Sequence, residues 1–173
     1  IFTLQDLIDR GFDPMVFRYF VLGAHYRTLL NFTFEGLDGA KNSLERLRQL
    51  GRSFESGEAA AVVYEEKFKE ALRNDLNTPS ALAVMWEMVQ DKNLSVEAKG
   101  SSLRRFDSVL GLGLSDIIGK REEVPEEILV LVKNREKARQ AKEWKQADEF
   151  RKLIEDRGWK VEDVPGDVFV SKK

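Results

Sequence analysis

The hydrophobic and polar positions repeat with a helical period along most of the chain. In "DPMVFRYFVLGAHYRTLL" the apolar positions Phe17, Phe20, Val21 and Ala24 recur at that spacing. Asp13 stands where an N-cap belongs, and Pro14 at the first helical position, where its missing N–H costs nothing. "LNFTF", residues 30–34, reads as a short extended piece. Leu37, Ala40, Leu44 and Leu47 predict a second helix, and Ala61, Tyr64, Phe68 and Leu72 a third. Thr78-Pro79 repeats the cap-plus-proline device ahead of Leu82, Met85, Trp86 and Val89. Leu103, Phe106 and Leu110 mark one more amphipathic stretch. The connections are short, as neighbours in an antiparallel bundle require.

The segment 111–127, "GLGLSDIIGKREEVPEE", breaks this pattern with three glycines, a charge run and Pro125. A domain boundary is expected there. From Glu126 to Lys142 the chain reads as helix, with Ile128, Val132 and Arg135 on one face. Past Glu143 the apolar positions become Ala147, Phe150 and Ile154. On one straight helix, at about 100° per residue, the two stripes would lie roughly a quarter-turn apart. A turn at 142–144 removes the mismatch and predicts a helical hairpin, stopped by Gly158. "WKVED" and "VFVSK" then alternate around Pro165-Gly166-Asp167 as a small β-hairpin. The fold class is therefore mainly α: an antiparallel helical bundle followed by a small α+β domain of helical hairpin plus short β-hairpin. The last part, 119–173, has a marginal core at about this size, so it is expected to be mobile or to lean on the bundle.

Composition narrows the function. The chain has 173 residues, 42% hydrophobic and 34% charged, with a formal net charge of -2. An anionic partner must therefore be held by a local patch. No apolar run approaches the roughly 18 residues of a membrane span, and no signal-peptide pattern opens the chain. The absence of cysteine removes disulfides and Cys-based zinc sites. A cytoplasmic monomer is expected. The chain opens on Ile1, which reads as a piece of a longer protein.

Catalytic signatures are missing. There is no Gly-rich phosphate loop, no G-x-S-x-G and no His pair at ligand spacing. His25 is the only histidine and reads as a packed or surface residue. The charged segment 133–145 stands out. Lys133, Arg135, Lys137, Arg139, Lys142 and Lys145 face only Glu136 and Glu143, a surplus of four positive charges. Basic side chains attract phosphates, and an adjacent aromatic can stack on any base. Trp144, at the bend of the hairpin, suits such a platform. Asp148, one helical turn on, suits an exocyclic amine. The other reading is a core Trp beside a solvated charged face.

Three stretches, "FTLQDLIDRGFDPMVFRYFVLGAHYRTLLNF", "RNDLNTPSALAVMWEM" and "EKARQAKEWKQADEFRKLIEDRGWKVEDVPGD", occur in that order. Together the chain resembles the C-terminal half of bacterial cysteinyl-tRNA synthetases over nearly its whole length. "AHYRTLLNF" is similar to that family's A-H-Y-R-S-P-L-N-F, and "NDLNTPSAL" to its D-D-F-N-T-P-E-A-L. The resemblance implies a stem-contact remnant over 1–34, a helical bundle over 35–118 and an anticodon-binding domain over 119–173. It implies a partner, tRNA(Cys) with its GCA anticodon, and neither DNA nor a membrane. Cysteine attachment, with its ATP and zinc, would belong to a catalytic domain upstream of Ile1. This fragment would hold no cofactor and no catalytic residue.

Carried over residue by residue, the family's anticodon readers fall on Arg139, Trp144, Asp148 and Asp163. A guanine edge suits the Arg donor, and the cytosine and adenine amines suit two carboxylates. Tyr26 and Arg27 fall where the family's stem-contact region faces the tRNA, with packing the alternative for Tyr26. Arg27, Arg135, Lys142 and Lys145 are expected at the tRNA backbone. Two positions depart from the family. Glu143 replaces the usual Asp before the Trp and should cap less well. The ending Asp163-Val-Pro-Gly-Asp-Val-Phe169 is one residue short, with Phe169 in place of Trp. Two other functions share parts of the pattern. One is a ligase joining cysteine to an amino sugar, a family without the anticodon domain. The other is a helical protein–protein module, since "AKEWKQADEFRKLI" resembles the docking hairpin of excision-repair nucleases.

Overall fold

The computed structural model describes residues 2–120, 124–164 and 167–172. They form two compact units, residues 1–120 and 121–173. The fold is mainly α, and none of its described helices is long and apolar enough to cross a membrane.

Among its described residues the first unit has six helices: α1 (Leu4–Asp9), α2 (Pro14–Leu22), α3 (Phe34–Ser53), α4 (Val62–Arg73), α5 (Thr78–Gln90) and α6 (Val96–Leu110). Side-chain caps set most of their starts. Asp13 accepts from the Met15 N–H at 2.8 Å, and Thr33 from Gly36 at 3.0 Å. Asn77 accepts from Ser80 at 3.0 Å, and Ser95 from Ala98 at 3.1 Å. Each satisfies a donor that the first helical turn leaves without a partner.

Four boundaries differ from the sequence pattern. Helix α1 was invisible to it, because six residues carry too little periodicity; a capping box between Thr3 and Asp6 starts that helix instead. Helix α5 is capped by Asn77, so Thr78 lies inside the first turn and Pro79 follows it. Ala24 falls beyond α2, whose C-cap is Gly23, and Ala61 is the N-cap of α4.

One apolar cluster runs through this unit. Leu37, Leu44 and Leu47 of α3 meet Phe68 of α4, Met85 and Met88 of α5, and Leu103 and Phe106 of α6. The Phe68 and Phe106 rings stack with centroids 4.1 Å apart. Leu7 and Val16 belong to the same cluster, as do Leu112, Leu114 and Ile118 from the glycine-rich segment. Gly111 ends α6 in the left-handed conformation that favours glycine, at φ 63°. Asp107 then receives the N–H groups of Leu112 and Ser115, both at 2.8 Å, which folds the segment back onto the core.

The second unit contains α7 (Glu126–Gln140), α8 (Trp144–Asp156) and the strands β1 (Trp159–Val164) and β2 (Asp167–Lys172). The helical hairpin turns through 141–143, with Lys142 at φ 60°. Gly158, at φ 78°, stops the second helix. The strands are antiparallel, with Trp159 opposite Lys172 and Val164 opposite Asp167. The predicted turn residues Pro165 and Gly166 lie outside the described residues. Ile128, Ile154, Trp159 and Val161 form the buried centre, flanked by Val132, Val168 and Val170. The alternation of β1 is what directs Trp159 and Val161 inward together.

Candidate nucleic-acid interface

Trp144 is the first residue of α8, and 61% of it is exposed. The buried positions of that helix are Ala147 and Ile154, so the packed face lies beyond the bend rather than at it. The indole therefore projects from the tip of the hairpin instead of joining the core. Asp148 lies four residues on, on the same side of the helix and also exposed. Lys142 and Lys145 flank the indole and are exposed. Among the described residues none of these three charged side chains has a hydrogen bond or ion pair. Glu143, at the N-cap of α8, makes no side-chain capping bond. Its extra methylene carries the carboxylate past the N–H groups that a shorter Asp would reach.

The second group of charges lies on α7 and β1. Asp163 follows Val161 by two residues, and Arg135 and Arg139 are one turn apart on α7. Both arginines meet the Asp163 carboxylate. Arg135 donates to its two oxygens at 3.0 and 2.9 Å, and also to Glu136 at 3.0 Å. Arg139 forms a close ion pair with the same carboxylate. The two arginines differ in access: the Arg135 side chain is 5% exposed and that of Arg139 35%. The expectation that Arg135 touches a tRNA phosphate thus falls on a side chain that the fold buries and pairs. It sits on the apolar face with Ile128 and Val132, and its guanidinium is spent on two carboxylates. Glu136, a partner that the basic pattern alone does not reveal, is signalled in the sequence only by its adjacency to Arg135.

The Arg135 hydrogen bonds hold the Asp163 carboxyl below the usual carboxylate range, against the opposing effect of partial burial, with the charge of Arg135 and then Arg139 adding to the shift. A lowered pKa stabilises the fold fully above the ordinary aspartate value of about 3.9. That contribution is lost as pH falls through the lowered value. We expect the Asp163 carboxyl 13C resonance to titrate below the ordinary aspartate midpoint. A midpoint at or above the ordinary value would show that the ion pairs do not persist in solution.

In the first unit, Arg27 donates to Asp75 at 2.8 Å and Tyr26 donates its hydroxyl to the same carboxylate at 2.6 Å. A His25 ring nitrogen lies 3.0 Å from the Asp75 carbonyl oxygen. Tyr26 is 63% exposed, so simple core packing does not account for it. The Arg27 side chain is 69% exposed and keeps access to solvent while paired. Asp75 and Leu76 hold left-handed φ values of 54° and 51°, which shape the bend that brings Asp75 to this cluster. Sequence reasoning missed Asp75, because its partners lie about fifty residues away. The chain has no cysteine, and among the described residues no three potential ligands gather as a metal site.

Comparison with known proteins places both units. Residues 67–115 match the model of the DALR domain, and residues 121–170 that of the cysteinyl-tRNA ligase anticodon binding domain. Cysteine–tRNA ligase 1 of Burkholderia lata is 41% identical over 162 residues, covering 94% of this chain and 34% of the relative. The cysteine–tRNA ligase of Protochlamydia amoebophila is 35% identical over 184 residues, with 95% and 38% covered. That of Chlamydia muridarum is 37% identical over 191 residues, with 94% and 39% covered. The chain thus spans between a third and two-fifths of the length of the curated relatives it matches. Both family models are met in chain order, and the relatives align along nearly the whole sequence; the chain belongs to the cysteine–tRNA ligase family, in the part that carries the DALR and anticodon-binding domains.

Proposed function

We propose that this chain is the tRNA-binding part of a cysteine–tRNA ligase and recognises tRNA(Cys) through its GCA anticodon. Trp144 offers a π-face to an unpaired loop base. Arg139 supplies a two-pronged donor for the guanine edge, and Asp148 and Asp163 accept from the cytosine and adenine amines. Lys142 and Lys145 hold the strand by its phosphates, and Arg27 meets the tRNA backbone from the first unit. Attachment of cysteine, with its ATP and zinc, is assigned to the remainder of a whole enzyme, and this chain alone catalyses nothing. The observation that carries the reading is the exposed indole at the hairpin bend, with unpaired Asp148, Lys142 and Lys145 around it. The match of residues 121–170 weighs against the amino-sugar ligase alternative.

The test is a titration of the full chain with an anticodon stem-loop RNA at two salt concentrations. The reading expects saturable binding that weakens as salt rises, with preference for the GCA loop over a loop of swapped sequence. Equal affinity for both loops would contradict it. Lys142→Ala is expected to weaken both loops alike and to lower the salt slope by about one, the signature of a lost phosphate contact. A loss confined to the GCA loop would make Lys142 a base reader instead.

A further inference from the structure

We infer that Arg135 is a positioning residue for base recognition: it keeps hold of the Asp163 carboxylate while Arg139 leaves that carboxylate when RNA binds. The inference rests on the anticodon reading of the preceding section and adds an order of events to it.

The difference between the two arginines carries the argument. In the free protein the proposed readers Arg139 and Asp163 are paired to each other, so Arg139 is not free to meet a guanine edge. One partner must let go. The Arg135 side chain is 5% exposed and bonds both Asp163 oxygens and Glu136. Releasing it would strand a buried charge, which is the costly way to break an ion pair. The Arg139 side chain is 35% exposed, and its second acidic neighbour, Glu136, lies 3.9 Å away. An accessible pair of this kind is weak and easily exchanged. Arg139 can therefore swing to the O6 and N7 of a guanine, which replace the carboxylate it gave up. An ionised carboxylate has about four acceptor sites. The site that Arg139 vacates then accepts a base amine, while Arg135 still fixes the carboxylate plane. Without Arg135, Asp163 has only Arg139 nearby, and the two readers neutralise each other.

The test uses the full chain and two readouts. In the first, Arg135→Gln and Arg135→Lys are titrated with GCA and swapped-sequence stem-loops. We expect Arg135→Gln to weaken the GCA loop about tenfold, the scale of one good bidentate contact, and to leave the swapped loop nearly unchanged. Arg135→Lys keeps the charge without the planar fork and should recover only part of the loss. Equal weakening of both loops by Arg135→Gln would make Arg135 merely structural and overturn the inference, as would unchanged affinity of Arg135→Gln for the GCA loop.

The second readout needs no variant that must fold. The arginine Nε–H resonances of the unsubstituted chain are followed as the GCA loop is added. Arg139 should shift to a new bound position while Arg135 keeps its free-state position. Movement of Arg135, or an unmoved Arg139 at saturation, would overturn the exchange. If the unsubstituted chain does not distinguish the two loops, the anticodon reading itself fails and this inference with it. If it distinguishes them and both arginines respond alike, only the exchange fails.

Discussion

Truncating Trp144 to alanine is expected to weaken binding of a GCA anticodon stem-loop by about 1–3 kcal/mol, roughly five- to 150-fold, the usual scale for one lost base stack. A loop of swapped sequence, bound mainly through phosphates, should change little. The separation from folding is favourable here. The indole is 61% exposed and lies outside the buried centre of Ile128, Ile154, Trp159 and Val161. Removing it should therefore change stability by no more than about 0.5 kcal/mol, as for other surface substitutions. Binding isotherms and a urea melt on the same sample separate the two effects. Equal losses on both loops, or a destabilised second unit, would make Trp144 a structural residue.

The larger expected effect on stability lies in the first unit. Phe106 is 2% exposed and its ring stacks on Phe68 at 4.1 Å between centroids. It stands where α6 meets α4, within the cluster that also holds Met85, Met88 and Leu103. Phe106→Ala removes the transfer energy of a buried ring, leaves a cavity and ends an aromatic pair. The expected cost is about 3–5 kcal/mol, a large share of the roughly 5–15 kcal/mol that holds a typical domain folded. Denaturant unfolding of the full chain, followed by a signal from the first unit, would show the loss. A change below about 1 kcal/mol would mean that the site collapses and refills, at the low end of such substitutions.

The elements that local chemistry determines were legible in the sequence. Asp13-Pro14 marked the start of α2, Gly158 the end of α8, and the shift of stripe between Val132 and Ala147 the bend of the hairpin. Each depends on residues within one or two turns. The stretch before α5 shows the limit. Thr78 can cap as well as Asn77, and in the fold Asn77 takes the role, directly after the left-handed pair Asp75-Leu76.

The candidate site divides in the same way. Trp144, Asp148, Lys142 and Lys145 stand on one helical hairpin, and their spacing alone put them together. The Arg135–Asp163 pair spans 28 residues and the Tyr26–Asp75 bond 49, beyond what a period can report. Arg135 was nonetheless half-visible. Its spacing set it on the apolar face with Ile128 and Val132, which argues for a buried, paired guanidinium. Its membership of a basic run argued for phosphate. Burial won, because the hairpin brings an acceptor, Asp163, within reach of that face.

On this account a loop base lies against the Trp144 indole. Intermolecular NOEs between the Trp144 ring protons and the base protons of a GCA stem-loop test it most directly, with the ring resonances assigned by Trp144→Phe. We expect such NOEs at saturating RNA, together with an upfield shift of the stacked base protons. Ring resonances that neither move nor show an intermolecular NOE while the RNA is bound would contradict the claim.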